Sequence, residues 1–315
     1  MTEPTHLLIA FAAGSTPQAR EALGALRLPR LERLLRRLRP LPPEPVDEHA
    51  PETPHERALA RALGLVTQAG RTPWAAHALH RTGGAPGPHA WAWITPCHWQ
   101  AGMDQVLMQD PAALALDGAH ERALFEAMQA WFADDGLELR LDAPGRWLAR
   151  GELFRDVVST SVDRVSGRDV AAWMPQSPQA SRLHRLQSEM QMLLYTHPVN
   201  DARAAQGLAP VNSFWVSGAG ALDEAPAAEP APELDLSLRD SALRQDWTAW
   251  AEAWQRLDAT RCAALAEELE RGAPVRLTLC GEQAWQTFEA APQGFLQRFS
   301  GFFGASPSSK RLEQL

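Results

Sequence analysis

Lysine is nearly missing from this chain. Lys310 is the single one, and every other member of the 30 basic residues is arginine. The bias reads as coding composition, not as a phosphate-binding signature. Positive charge is also outnumbered, since 38 Asp and Glu leave a formal net charge of −8. That excludes a general attraction to nucleic acid or to an anionic membrane. No basic stripe interleaved with aromatics stands against this, so nucleic acid is not an expected partner. Cysteine is scarce: Cys97, Cys262 and Cys280 stand far apart with no C-x-x-C. The pattern excludes a disulfide framework and fits a reducing compartment. Long apolar runs are lacking too, the stretch HLLIAFAA at 6–13 being too short to span a bilayer. MTEPTH carries an acid where a secretory leader wants basic residues. The expected location is the cytoplasm, with no membrane partner.

What is present is ordinary for a globular protein. The 315 residues are 45% hydrophobic and 22% charged, enough for one large domain or two small ones. Leu7–Ala12 reads as a buried strand, and Gly14-Ser15-Thr16-Pro17 as a turn into a capped helix. A basic helix follows around Leu31–Leu38. Pro40, Pro42, Pro43, Pro45, Pro51 and Pro54 mark 40–54 as a loop. Thr53-Pro54-His55-Glu56 has the form of a capping box. Ala90–Thr95, Leu137–Leu141, Arg146–Arg150 and Val275–Leu279 read as strands. Asp117 caps one helix, and Ser177-Pro178 opens another lined by Leu183, Leu186, Met190, Leu193 and Leu194. Trp247, Trp250 and Trp254 recur at helical spacing and are assigned to a core.

Strand–helix alternation at both ends predicts a parallel α/β core assembled from 1–85 and 234–292. The middle, 86–222, reads as an inserted α+β region. Residues 223–233 read as an Ala/Pro/Glu linker, and 300–315 as a mobile tail.

Several stretches carry candidate chemistry. His77, His80, His89, Cys97 and His98 are credible zinc ligands by type, but a Gly/Pro loop separates them and no standard spacing fits. Cys97 and His98 are neighbours on a strand, so they point to opposite faces and do not form a nucleophile–base pair. The turn Gly14-Ser15-Thr16 could cradle an anion on backbone N–H groups. Most specific is THPVNDARAAQGLAPVNSFWVSG at 196–218, where Pro-Val-Asn occurs twice, at 198–200 and 210–212. The doubled motif reads as two turns bracketing one short segment.

HPVNDARAAQGLAPVNSFWVSGAG resembles a segment of the archaeal-type cofactor-independent phosphoglycerate mutases, in the alkaline phosphatase superfamily. Together with WITPCHWQAGMDQV, SVDRVSGRDV, LQSEMQMLLYTHPVNDAR, PVNSFW and PVRLTLCGE, most of 5–290 also resembles the RpfE-type bacterial regulatory family. The resemblance implies a degenerate alkaline-phosphatase-like parallel-sheet core with the inserted α+β region. It also implies a two-metal site (manganese or zinc) if the chain is a mutase or phosphatase. Departures stand where that site belongs. The first strand ends in Phe11-Ala12-Ala13-Gly14-Ser15 without a carboxylate. His55-Glu56 stands where a Ser-Asp pair opens a helix, and Cys280-Gly281-Glu282 stands in place of Asp-His. The reading is therefore a regulatory or ligand-binding protein that has lost the two-metal site. An active mutase with relocated ligands and a partner-binding scaffold are the alternatives.

The same resemblance places Arg164 and Arg168 near the doubled motif. Arginine forks suit phosphate or carboxylate, and Asn and His both donate and accept. An anion pocket framed by Arg164, Arg168, His197, Asn200, Arg203, Asn212 and His98 is the predicted site. Its expected occupant is a small phosphorylated or carboxylate ligand, and a protein partner is the other expectation. A structural role is the rival for each residue: Asn after a helix caps turns, Pro198 blocks the helix, and Arg203 can pair with Asp201 or a carbonyl.

Overall fold

The computed structural model describes residues 4–65, 68–223, 231–290 and 308–315. In chain order the strands and helices are β1 (Thr5–Ile9), α1 (Pro17–Ala25), α2 (Pro29–Arg37), β2 (Leu38–Pro40), β3 (Glu44–Pro45), α3 (Pro54–Ala62) and α4 (Trp74–Arg81). There follow β4 (Ala90–Cys97), β5 (Trp99–Ala101), β6 (Val106–Met108), α5 (Gly118–Asp134), β7 (Glu138–Ala143), β8 (Arg146–Arg150) and α6 (Val162–Val165). Then come α7 (Ala180–Tyr195), α8 (Pro198–Ala205), β9 (Ser213–Ala221), β10 (Glu233–Asp235) and α9 (Arg239–Leu243). The last are α10 (Trp247–Leu257), α11 (Ala263–Glu270), β11 (Val275–Cys280), β12 (Ala284–Ala290) and α12 (Ser308–Leu312). They form two compact units, one from Met1–Gly64 and Ala227–Leu315, the other from Leu65–Pro226.

The first unit is α/β. Its sheet runs β10-β1-β11-β12-β2, with β3 beside β2 on the same strand β12. β1 pairs in parallel with both β10 and β11, and β12 adds an antiparallel border. Leu7 and Ile9 of β1 bury one face with Leu277 and Leu279, against the leucines of α1 and α2 and against Trp250 and Trp254. The tryptophan stripe is core, as its spacing predicts. Leu8 and Cys280 cover the other face together with Ala58 and Trp285.

Between α10 and α11 the helix does not stop. Asp258–Cys262 continues as a π-helical segment. That bulge aims Asp258 at the start of α2, where its two oxygens accept the N–H of Leu31 (2.7 Å) and Arg30 (3.2 Å). Leu28, the local N-cap of α2, offers no side-chain bond. The distant carboxylate therefore does the capping.

The second unit is α+β. Its antiparallel sheet, β7-β8-β4-β9, packs one face on α5 and α7 through Phe132, Met190, Leu194 and Phe214. The boundary at 64/65 lies earlier than the 85/86 read from the sequence. The reason is α4, whose Ala75 and Ala76 pack against Trp91 and Leu148 of this second sheet.

Two further expectations are corrected. The proline-rich 40–54 loop contains the short strand β3 and begins at the last residue of β2, and both strands pair with β12. Proline cannot donate to a ladder, so edge strands of this kind are where it is tolerated. The predicted tail is docked over 308–315: α12 forms there, and Leu312 and Leu315 join the core of the first unit. Two leucines three residues apart supply that anchor. The remainder of the tail, 300–307, lies outside the described residues, as does most of the predicted linker, and Glu233 already opens β10. No described helix is long and apolar enough to cross a membrane.

Candidate functional site

Two places bear on function, one in each unit. In the first unit, ligand sites of parallel sheets sit beyond the carboxyl ends of the strands. β1 ends at Ile9, and the next residues make a tight, non-helical turn. Phe11 adopts φ 56°, a left-handed conformation that is costly for an aromatic residue. Its carbonyl accepts the Trp250 indole N–H (2.9 Å), and the Ala12 carbonyl accepts that of Trp254 (3.2 Å). The Ala12 N–H in turn donates to the Cys280 carbonyl at 2.7 Å. Gly14 is needed here, because a Cβ would lie 2.9 Å from both Ala19 and Trp247.

Ser15 then directs both its donors at one acceptor. Its N–H (3.0 Å) and its hydroxyl (2.6 Å) reach Oε2 of Glu282, just past β11. The predicted anion cradle thus holds a carboxylate of the same chain. His55 is buried at the start of α3, its Nδ1 3.0 Å from the Thr53 hydroxyl and its ring 5.1 Å from that of Phe11. Glu56 completes the capping box, its Oε2 accepting from the Thr53 N–H and hydroxyl at 2.8 Å.

A two-metal centre needs several carboxylate and imidazole donors converging on each ion. Here Oε2 of Glu282 is engaged by Ser15 and Oε2 of Glu56 by Thr53. Among the described residues no group of three or more His, Cys, Asp or Glu is placed to hold a metal ion. The described residues do not fit the two-metal centre that the resemblance implies.

The second unit carries the doubled motif. The first Pro-Val-Asn is not a turn: His197 is the N-cap and Pro198 the first residue of α8, with the Val199 N–H 3.3 Å from His197 Nδ1. Proline at the first helical position explains this, since its fixed φ starts a helix as readily as it blocks one. Asn200 therefore projects from a helix. Its amide nitrogen donates to the carbonyls of Leu194 and Val211 (2.8 Å each), and its oxygen accepts the Val211 N–H (2.9 Å). The second Pro-Val-Asn leads into β9. Asn212 treats Trp99 the same way, accepting its N–H (2.7 Å) and donating to its carbonyl (2.9 Å). Each asparagine amide thus imitates one peptide unit of a ladder, and the first repeat holds the residue before the second asparagine.

Arg203 and His98 grip the same segment. The fully buried Arg203 donates through Nε to the Ala209 carbonyl (2.8 Å) and through Nη2 to that of Leu114 (2.6 Å). Its Nη1 is buried without a hydrogen-bond acceptor among the described residues. Burial pulls the Arg203 pKa down, opposed by the Asp117 carboxylate. His98 Nδ1 lies 2.9 Å from the Pro210 carbonyl, which makes that nitrogen the protonated one. Asn200, Arg203, Asn212 and His98 are thus brought together around 209–212, with His197 at the start of the same helix.

Arg164 and Arg168 belong to the neighbouring 161–173 segment. Arg164 is buried on α6, and its N–H is capped by the Ser161 hydroxyl at 3.2 Å. The Arg168 guanidinium stands 5.9 Å from the Trp173 ring centroid. Asp169 accepts the N–H groups of Val106 and Ala171. Asp104 sits in the exposed β5–β6 turn. Cys97 is fully buried, and burial pushes its thiol pKa far up, so it is no nucleophile. Sequence reasoning missed Asp258 and the two carbonyl-holding indoles, because their partners lie more than 200 positions away.

No protein-family model matches the chain, and no curated protein matches it. Solved structures do resemble it. The cofactor-independent phosphoglycerate mutase from Thermoplasma acidophilum aligns with 90% of this chain and 89% of its own, at 14% identity and TM-score 0.36. The PH0037 protein from Pyrococcus horikoshii aligns with 92% and 88%, at 12% identity and TM-score 0.43. The structural neighbours are thus phosphoglycerate-mutase-like at low identity, and the α/β assignment stands on the strand pairing described above.

Proposed function

We propose that this chain is a non-catalytic regulatory or ligand-binding protein of the cytoplasm, related to the cofactor-independent phosphoglycerate mutases and of the RpfE type. One observation carries the reading. At the strand ends, where two-metal chemistry would need free carboxylates, Glu282 bonds to Ser15, and residues 10–14 after β1 carry no carboxylate. Purification without chelator, metal analysis, and assay of 3-phosphoglycerate interconversion with added manganese test it. The expected result is substoichiometric metal and no turnover. Stoichiometric metal with robust turnover overturns it.

The proposed ligand is a small phosphorylated or carboxylate compound at the 197–212 clamp. Arg164, Arg168, Arg203, His98, His197, Asn200 and Asn212 are its candidate contacts. Support comes from Arg203 Nη1, a buried guanidinium nitrogen still lacking an acceptor, which leaving unmet is costly. Melting curves with phosphorylated three-carbon acids and nucleotides test this. A thermal shift that disappears in Arg168→Ala and Arg203→Lys is expected. No shift in the parent protein removes the pocket. A partner-binding role is the second reading, favoured by Met192 (78% exposed) and Tyr195 (86%) at the end of α7.

A further inference from the structure

The segment 308–315 meets the rest of the first unit at one point of chemical interest, the turn between β11 and β12. The Leu315 carbonyl oxygen accepts two backbone N–H groups there, from Gln283 (2.8 Å) and Ala284 (2.7 Å). Leu312 is fully buried and Leu315 nearly so, both in the core cluster that holds Leu23, Leu34 and Phe288. The Arg311 guanidinium lies 5.8 Å from the Phe288 ring centroid.

Gly281 shows that the turn is shaped for this contact. Its φ lies outside the left-handed region, so the backbone itself does not demand glycine. What demands it is Leu315: a Cβ at Gly281 would stand 2.6 Å from the Leu315 carbonyl oxygen and 2.7 Å from its Cβ. The residue between the two contact points is Glu282, the acceptor for Ser15. Gly281 on one side and Gln283 on the other are both against Leu315. A turn fixed at both flanks has little freedom to re-aim the side chain between them.

We propose that segment 308–315 is a displaceable latch on the β11–β12 turn, and that its docking holds Glu282 in register for Ser15. The occupant of the groove is this segment of the same chain, a single-turn helix presenting Leu312 and Leu315. Docked, it keeps the strand-end cradle filled by Glu282. Released, it frees the Gln283 and Ala284 amides and lets Glu282 leave the Ser15 donors, so that the cradle opens. The inference stands on the Gly281, Leu315 and Glu282 geometry and does not depend on the ligand proposed for the second unit.

Amide hydrogen exchange on the full chain reads each step. Gly281→Ala displaces Leu315 by a methyl group, and Leu312→Asp removes the buried anchor. In both variants exchange at Gln283 and Ala284 should rise about tenfold or more, and the Ser15 amide should rise with them, while the β1 amides stay protected. The synthetic peptide of residues 308–315, added to Leu312→Asp, should restore protection at all three. Protection of Gln283 and Ala284 that survives in Gly281→Ala overturns the latch. Opening of those two amides with Ser15 still protected overturns its coupling to Glu282. Should Leu312→Asp lose β1 protection as well, Gly281→Ala alone decides.

Discussion

At the scale of the residue, the polar side chains that matter most here are spent on backbone groups. Asn212 is the sharpest case, since it satisfies both the N–H and the carbonyl of Trp99. Asn212→Ala strands both and should lower stability by about 2 kcal/mol, read from urea unfolding. Asn212→Asp keeps the acceptor but loses the donor, and should fall between. His6 adds a pH dependence. Its Nε2 lies 2.8 Å from the Thr278 hydroxyl, and burial, aided by Arg276, pulls its pKa down to about 4. The unfolded chain takes up that proton near pH 6.5, the folded one only near 4. Unfolding between those values therefore binds a proton, so stability falls as pH drops through this window. The loss should reach on the order of 3 kcal/mol by pH 4. Melting temperature against pH should show this slope, and His6→Gln should flatten it. Both asparagines and the arginine were visible as candidates in the sequence. Which atoms they bond was not, because Trp99 lies 113 positions from Asn212 and Leu114 lies 89 from Arg203.

Elements whose signals are local could be read directly. The capping box at Thr53–Glu56 and the Asp117 cap depend only on neighbours within four positions, and both form as read. The start of α8 was misread because His-Pro-Val-Asn suits a turn and a helix N-terminus equally. The longer-range device of this scale is the π-helical segment at 258–262. It belongs to one helix run and caps another, so α2 begins with a carboxylate supplied from Asp258. Asp258→Ala should destabilise by about 1–2 kcal/mol, as loss of a helix cap does. Asp258→Asn should cost distinctly less. Its amide oxygen can still accept from Leu31, and it removes a charge whose burial raises the Asp258 pKa. Denaturant unfolding of the two variants separates the capping role from simple burial.

At the scale of the whole molecule, the chain interrupts one unit to build another. The inserted unit is contiguous, Leu65–Pro226, and owns complete apolar clusters around β4 and β9. Expressed alone, residues 65–226 should fold with a cooperative thermal transition and native-like near-ultraviolet circular dichroism from its buried tryptophans. Absence of a transition would mean that its core is incomplete. The outer unit cannot be divided in this way, because β1 is hydrogen-bonded on both sides by strands that follow the insertion.

The sequence by itself determined the local and compositional features: the capped helices, the alternating strands, the tryptophan core stripe, the α/β class and the missing carboxylate after β1. Each depends on periodicity or on neighbours close in the chain. Tertiary structure alone decided that Glu282 answers Ser15, that Asp258 caps α2, that Leu315 closes on Gly281, and that the doubled asparagines clamp Val211 and Trp99. These contacts join residues from eleven to more than two hundred and sixty positions apart. Only the parallel pairing of β1 with β11, and the packing of the inserted sheet, brings such partners within hydrogen-bond reach.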